Sequence, residues 1–338
     1  MPAVIHEYRF VKPNQPVTMR DVANAAGVSV STVSKALRND PSIPEARCHE
    51  IQETACKLGY RPNPMVAALM ARLHHGRRRS DPHHIAWIDL WPAGKTNPSA
   101  AISKPILHGA RKRARELGYD IEIHHAHGMP PGQLHCTLST RGQWGLIIPP
   151  VPESAMRFPL DLRGLTGVTI GSSLHEPVMH RVSPDHFQGC SMAFEKLLDK
   201  GYGKIGLVLT PEMNDRVEGK WLGAFLASQQ KLPPRQRIPA LLADAADSAT
   251  LARWLERWNP EVVLAAEDWP WNASGRPPLA WLMPAERAAG GLGALDYRWE
   301  VLGGTAVEMV VAQLHRNDRG RPAIPQTVMV DAVWEERS

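Results

Sequence analysis

TMRDVANAAGVSVSTVSKALRND, residues 18–40, decides the reading of this chain. Thr18 followed three residues later by Asp21 has the form of a capping box, so a helix is expected to begin there, with Val22, Ala25 and Ala26 as its apolar stripe. Gly27 breaks the run. Ser29 can cap a second short helix, in which Val33, Ala36 and Leu37 repeat at helical spacing and leave Val30, Ser31, Ser34 and Lys35 on the other face. Two short helices joined by a tight turn have the form of a helix-turn-helix, whose second helix enters a major groove. Next, IPEARCHEIQETACKLGY (43–60) sets Cys48, Ile51, Ala55 and Leu58 at helical spacing, a third helix that Gly59 ends. Asn63 and Pro64 then encode the start of a further short helix carrying Met65, Leu69 and Met70. Alone it is too short to persist in water, which suggests a helix formed only against a partner helix and DNA.

Charge supports this division. Residues 1–80 hold 12 Lys and Arg against 6 Asp and Glu, whereas the other 258 hold 27 against 28. One small basic module is thus expected to meet phosphate, and a larger neutral one something else. A length of 338 residues and 43% hydrophobic content suit several packed domains. Neither a secretory leader nor an apolar run of roughly 18 residues is visible, so the expected location is cytoplasmic. Cys48, Cys56, Cys136 and Cys190 lack paired spacing and read as plain thiols. HHGRRRSDPHH (74–84) reads as an interdomain linker.

Beyond it, short apolar runs alternate with helical stretches: IAWIDL, ILHGARKRARELGY, DIEIHH, GLIIPP, GVTIGSS, AFEKLLDKGY and IGLVL. Alternating strand and helix signals imply an α/β fold with parallel sheets covered by helices.

The motif T-x-x-D-V-A-x-x-A-G-V-S-x-S-T-V-S, followed by L-G-Y-x-P-N, is similar to the head of the lactose- and galactose-repressor (LacI/GalR) family of transcriptional regulators. The resemblance implies a two-lobed α/β effector domain of the periplasmic-binding-protein type, its lobes joined by three crossovers. It implies a homodimer on a double-stranded, pseudo-palindromic operator, a sugar-like small-molecule effector, no cofactor and no metal. The second helix then reads bases through Val30, Ser31 and Lys35. Thr18, Ser29, Thr32, Ser34 and Asn39 position the backbone. Asn63 opens a hinge helix, 63–73, whose Leu69, with Met70 beside it, is a wedge for the minor groove. The expected domains are an arm (1–17), the head (18–62), the hinge, the linker (74–84) and the effector domain (85–338). Within the last, lobe 1 is about 85–181 and 296–322, and lobe 2 about 182–295 and 323–335.

Candidate effector contacts are Asp89, Ser172, Ser173, Lys220, Trp221, Asp268 and Trp269, with Trp271 as an alternative. Strand ends open into a ligand crevice in parallel α/β folds, and flat aromatic faces can stack on rings. Asp185 is expected to cap or brace the crossover. The chain departs from the family pattern in several places. Lys220 replaces an arginine, Pro44 and Cys48 replace a polar cap and an arginine that Arg47 could take over, and Trp144 replaces an aspartate. PWNASGRPPLAW (270–281) replaces much of a helix in a shortened second lobe. His124, His125 and His127 cluster at the end of an expected strand and have the residue type of a metal site, but no metal is expected there. No nucleophile elbow, phosphate loop or zinc-protease motif is present, so an enzyme is not expected. A regulator with a decayed pocket and, less favoured by the basic head, a solute-binding receptor stay open.

Overall fold

The structure, a computed structural model, describes residues 17–37, 40, 42–60, 83–92, 100–130, 132–271, 276–283 and 291–336. Asn39, Asn63, Leu69, Met70 and the expected hinge helix lie outside the described residues, as does the arm except Val17. The chain divides into two units, a head of residues 1–81 grouped with His315–Asn317, and a body of residues 82–314 and 318–338.

The head is three helices: α1 (Met19–Ala26), α2 (Val30–Ala36) and α3 (Glu45–Lys57). Thr18 and Asp21 form the full capping box, and Gly27 ends α1 at φ 64°, where a residue without Cβ carries no penalty. Ser29 caps α2 by accepting from the Thr32 amide at 3.0 Å. Val22, Ala23, Val33, Ala36, Cys48, Ile51 and Ala55 make the core, with Val17, Ile43 and Tyr60 packed on its rim. Two expectations change. Ala25 is exposed and Ala23 buried, because α2 and α3 both pack on the arc of α1 running from Val22 to Ala23. Leu58 lies past the last turn of α3 and is exposed.

The first sheet of the body contains β1 (His83–Asp89), β2 (Tyr119–His125), β3 (Gly145–Ile148), β5 (Thr166–Ile170), β7 (His180–Pro184) and β13 (Thr327–Val330). Their order is β13-β7-β5-β3-β1-β2, parallel throughout. A ribbon of β4 (Met156–Arg157) and β6 (Leu174–Glu176) flanks it. Alternate residues of β1 serve opposite faces, as a period of two requires. Ile85 and Trp87 pack with α4 (Ala100–Glu116) and α10 (Trp299–Arg316), while Ala86 and Ile88 pack with α5 (Gln133–Thr140). The two helices on the first face touch backbone to backbone. A Cβ on Gly109 would lie 2.0 Å from the Glu300 carbonyl oxygen, and one on Gly303 1.9 Å from that of Ile106.

The second sheet contains β8 (Ile205–Leu209), β9 (Leu241–Leu242), β10 (Val262–Ala265), β11 (Leu279–Trp281), β12 (Gly293–Asp296) and β14 (Val333–Glu336). Its order is β14-β12-β11-β10-β8-β9, and β14 alone runs antiparallel. On one face lie α6 (His186–Asp199) and α8 (Lys220–Gln229), bringing Phe194, Trp221 and Phe225 into the core; α9 (Ser248–Trp258) covers the other. Strands such as β3, β8 and β10 are buried at every residue, the signature of a parallel sheet covered on both faces.

The chain passes between the sheets three times: from β7 into α6, from β12 into α10 and from β13 into β14. The first and last crossings fall near Asp185 and Asp331, rather than at 182 and 323, because β7 and β13 pair with each other in the first sheet. The linker expectation is shortened too, since His83 and His84 already pair with β2.

Candidate functional site

On the head, Val30 and Ser31 stand exposed at the start of α2, and Ser34 and Lys35 are half-buried. Lys35 is not a bare point charge. Its Nζ donates to Ser42 Oγ at 3.3 Å, and the Ser42 amide donates to Asp40 Oδ1, so the loop after α2 steadies the lysine. Three other candidates are partly committed. Thr18 donates to Asp21 Oδ2 at 2.7 Å, and the Ser29 and Thr32 hydroxyls lie 2.8 Å apart. The Thr18 side chain and backbone hydrogen bonds hold the Asp21 carboxyl below the usual aspartate value.

Sequence reading missed how α3 braces the other two helices. Arg47 Nη2 donates to the Ala26 carbonyl at 3.2 Å, and Gln52 Nε2 to the Ala36 carbonyl at 2.9 Å. Each bond satisfies an acceptor at the C-terminus of α1 or α2 that would otherwise lack an intrahelical donor. Arg47, whose other arm pairs with Glu50, therefore braces α3 against the end of α1. Pro44 begins α3 with no side-chain cap.

In the body, the carboxyl ends of strands from both sheets face one crevice. From the first sheet come Val151 and Pro152 after β3, and the buried Ser172 and Ser173 after β5. From the second come α7 (Pro211–Arg216) and the turn to α8. Thr210 caps α7 and is itself held by Glu267, whose oxygens accept from the Thr210 amide at 2.9 Å and hydroxyl at 2.8 Å. Lys220 Nζ donates to Ser172 Oγ at 3.1 Å and to Glu218 Oε2 at 2.6 Å. Arg216 donates to the carbonyls of Val151 at 2.8 Å and Pro152 at 2.6 Å. Arg181 Nη1 reaches Glu218 Oε1 at 3.0 Å. Ser172, Ser173 and Lys220 are thus brought together, and Arg216, Arg181 and Glu218 are additions that sequence reading missed. The charged run NDRVEGK between a buried strand and an apolar helix was the available signal.

Two expectations are corrected. Trp221 has no exposed surface; it packs in the second-lobe core and its Nε1 donates to Tyr297 Oη at 2.9 Å. Trp269 is 5% exposed, in the core beneath α9. Neither offers a ring face for stacking, because both occupy volume between helix and sheet. Asp268 is exposed, and its neighbour Glu267 makes the bonds. Trp271 donates to the Pro277 carbonyl and has Arg276 above its ring. Asp89 accepts from the Trp91 amide and pairs with His125 at 3.1 Å. His124 meets Gln143 at 2.8 Å and His127 the Leu90 carbonyl at 3.2 Å, so the three imidazoles have separate partners. Asp185 caps α6 by accepting from the Gln188 amide. Trp144, half-exposed, lies under Arg319 at 5.3 Å.

Behind the crevice, His186 is edge-on to both Trp221 (4.9 Å) and Tyr297 (5.0 Å). Its Nδ1 is buried without a partner. Burial first, then the nearby Lys220 charge, push its pKa down to about 3, so it is neutral in the folded protein.

These elements define a class: a helix-turn-helix head followed by a two-lobed α/β domain of the periplasmic-binding-protein type. The profile of bacterial regulatory proteins of the lacI family matches residues 18–63. The regulator PtxS of Pseudomonas putida is 26% identical over 226 residues, which are 66% of this chain and 62% of PtxS. The ribose operon repressor of Escherichia coli K12 is 24% identical over 57% of this chain and 56% of its own length. The matches thus span under two thirds of these relatives. In fold, the chain resembles a lac repressor dimer bound to operator and the anti-inducer ONPF (TM-score 0.51, 19% identity, covering 96% and 98% of the two chains). It also resembles a CelR–cellobiose complex (TM-score 0.52, 18% identity, 95% and 99%). The head thus matches the lacI family, and the relatives matched along the chain are transcriptional regulators and not enzymes. No helix among the described residues is long and apolar enough to cross a membrane.

Proposed function

We propose that this protein is a sequence-specific DNA-binding transcriptional regulator, a repressor that acts as a homodimer on a pseudo-palindromic operator and responds to a sugar-like metabolite in the interlobe crevice. The observation that carries the reading is the capped α2, with Val30 and Ser31 exposed and Lys35 held beside them by Ser42. Valine suits a thymine methyl, serine accepts or donates to any base edge, and lysine suits guanine O6 and N7. Leu69, by sequence, is the wedge between half-sites. Thr18, Ser29, Thr32, Ser34 and Asn39 supply donors that fix register on phosphate.

In the crevice, Ser172, Ser173 and Lys220 are the contacts this reading keeps, with Asp89 and Asp268 near the strand ends. The burial of Trp221 and Trp269 favours a second reading, in which the body takes no ring-stacked sugar and the regulator answers to a protein or to nothing. Selection of bound sequences from a random duplex pool, repeated with a panel of sugars at fixed salt, tests both. A palindrome lost or strengthened with one sugar supports the first reading, and one indifferent to every sugar supports the second. No enriched sequence overturns both. Lys35→Ala should relax one base pair per half-site; unchanged preference with a shallower salt dependence would assign Lys35 to phosphate.

A further inference from the structure

The crevice contains a charge arrangement that effector contact does not explain. Glu218 sits in the turn between α7 and α8 at φ 55°, a left-handed conformation that a residue with a Cβ seldom adopts and that is held only where its surroundings fix it. Gly219 beside it, at φ 67°, is the residue such a turn ordinarily needs. The strained position aims one carboxylate oxygen at Lys220 of its own lobe and the other at Arg181 of the opposite lobe. Burial pushes this carboxyl up, but its hydrogen bonds and proximity to Lys220 and Arg181 outweigh that and leave it below the usual glutamate value. On the same turn, Arg216 crosses to the Val151 and Pro152 carbonyls and Lys220 to Ser172. With Arg216 Nη1 also 3.5 Å from Ser173 Oγ, a segment of five residues makes five bonds into the other lobe, from three side chains.

We infer that Arg216, Glu218 and Lys220 form an interlobe latch that ties the two lobes together across the crevice, with Glu218 as its keystone. Among the described residues, the one ion pair between the lobes, Glu218–Arg181, lies in a half-exposed seam where salt weakens it, and Glu218 also holds Lys220 within reach of Ser172, whereas the apolar cores on either side are indifferent to charge. Loosening of the seam thus becomes a local event to which one carboxylate contributes through two partners. The latch shares Ser172 and Lys220 with the effector contacts proposed above, and its test uses neither operator nor effector.

Hydrogen exchange followed by mass spectrometry on the full chain, without DNA or sugar, tests it. Glu218→Gln keeps the shape and removes the charge. Exchange in the peptides 166–176 and 211–222 should rise several-fold, while 145–148 and 205–209, the cores of the two sheets, should stay as in the unmodified chain. Raising NaCl from about 0.05 to 0.5 M, beyond which a Debye length is only a few ångströms, should open the unmodified chain in the same two peptides and add little to Glu218→Gln. Arg216→Met should act in the same direction; should it loosen the sheet cores as well, Glu218→Gln and the salt series decide. Seam exchange that is unchanged in Glu218→Gln and insensitive to salt overturns the latch.

Discussion

The head and the second lobe of the body are stabilised in opposite ways. The head core is Val22, Ala23, Val33, Ala36, Cys48, Ile51 and Ala55, with no aromatic among its buried residues, and its definition comes from the ends of its helices. Thr18, Ser29, Arg47 and Gln52 each satisfy a terminal backbone group near the surface. The second lobe is organised from its interior, where Phe194, Trp221, Phe225 and Tyr297 interlock and Trp221 donates to Tyr297. A module fixed at its ends yields to changes of single polar atoms at the surface. One fixed at its centre yields to changes of buried volume or charge.

The contrast is sharpened most by Gly303→Ala. Its Cβ would meet the Ile106 carbonyl at 1.9 Å, so α4 and α10 must separate; overpacking of this kind costs about 3 kcal/mol. Denaturant unfolding of the body should register the loss, with head exchange rates unchanged. An equally stable variant would refute the backbone contact.

Acid comes next. His186 is neutral when folded, with a pKa near 3, but takes a proton when unfolded below about pH 6.5. Its depressed value therefore stabilises the fold fully above pH 6.5, and that contribution is lost as the pH falls from 6.5 towards 3, at about 1.4 kcal/mol per pH unit. Unfolding curves at pH 7.5 and 4.5 should lie closer together in His186→Phe than in the unmodified chain. Equal separations would contradict this.

Tyr297→Phe removes the acceptor of a buried indole N–H and should cost about 1–3 kcal/mol, read as a lower unfolding midpoint of the body. The smallest effect belongs to the head. Ser29→Ala removes the α2 cap and should cost about 1 kcal/mol, raising exchange in peptides 29–37 roughly fivefold. If it loosened the body to the same degree, the separation drawn between the two modules would fail.

The same contrast explains how much could be read before the fold was known. Capping boxes, glycine stops and helical spacing are local, so α1, α2 and α3 were legible nearly to the residue. The alternation of β-strand and α-helix gave the α/β body for the same reason. Ala25, misassigned to the core, shows the limit, because helical period alone cannot say which side of Val22 two partner helices will cover. The crevice was legible only in part. Ser172, Ser173 and Lys220 follow from strand ends and motif position, but Arg181 meets Glu218 across 37 residues and Arg216 meets Val151 across 65. Such pairings depend on how two sheets face each other. Trp221 and Trp269 failed for a related reason, since an indole suits a ligand and a core equally well until burial is known.

The three crossings between the sheets also lie side by side. Pro184 is in register with Val330, and Asp296 with Val333, so the passages at β7, β12 and β13 form one band. Three adjacent straps tolerate bending along their common line and resist both shear and twist across it. Mechanically the two lobes are joined like the covers of a book rather than like two beads on a thread: three straps in a row favour bending along the spine at Pro184 and Val330 over sliding or twisting across it.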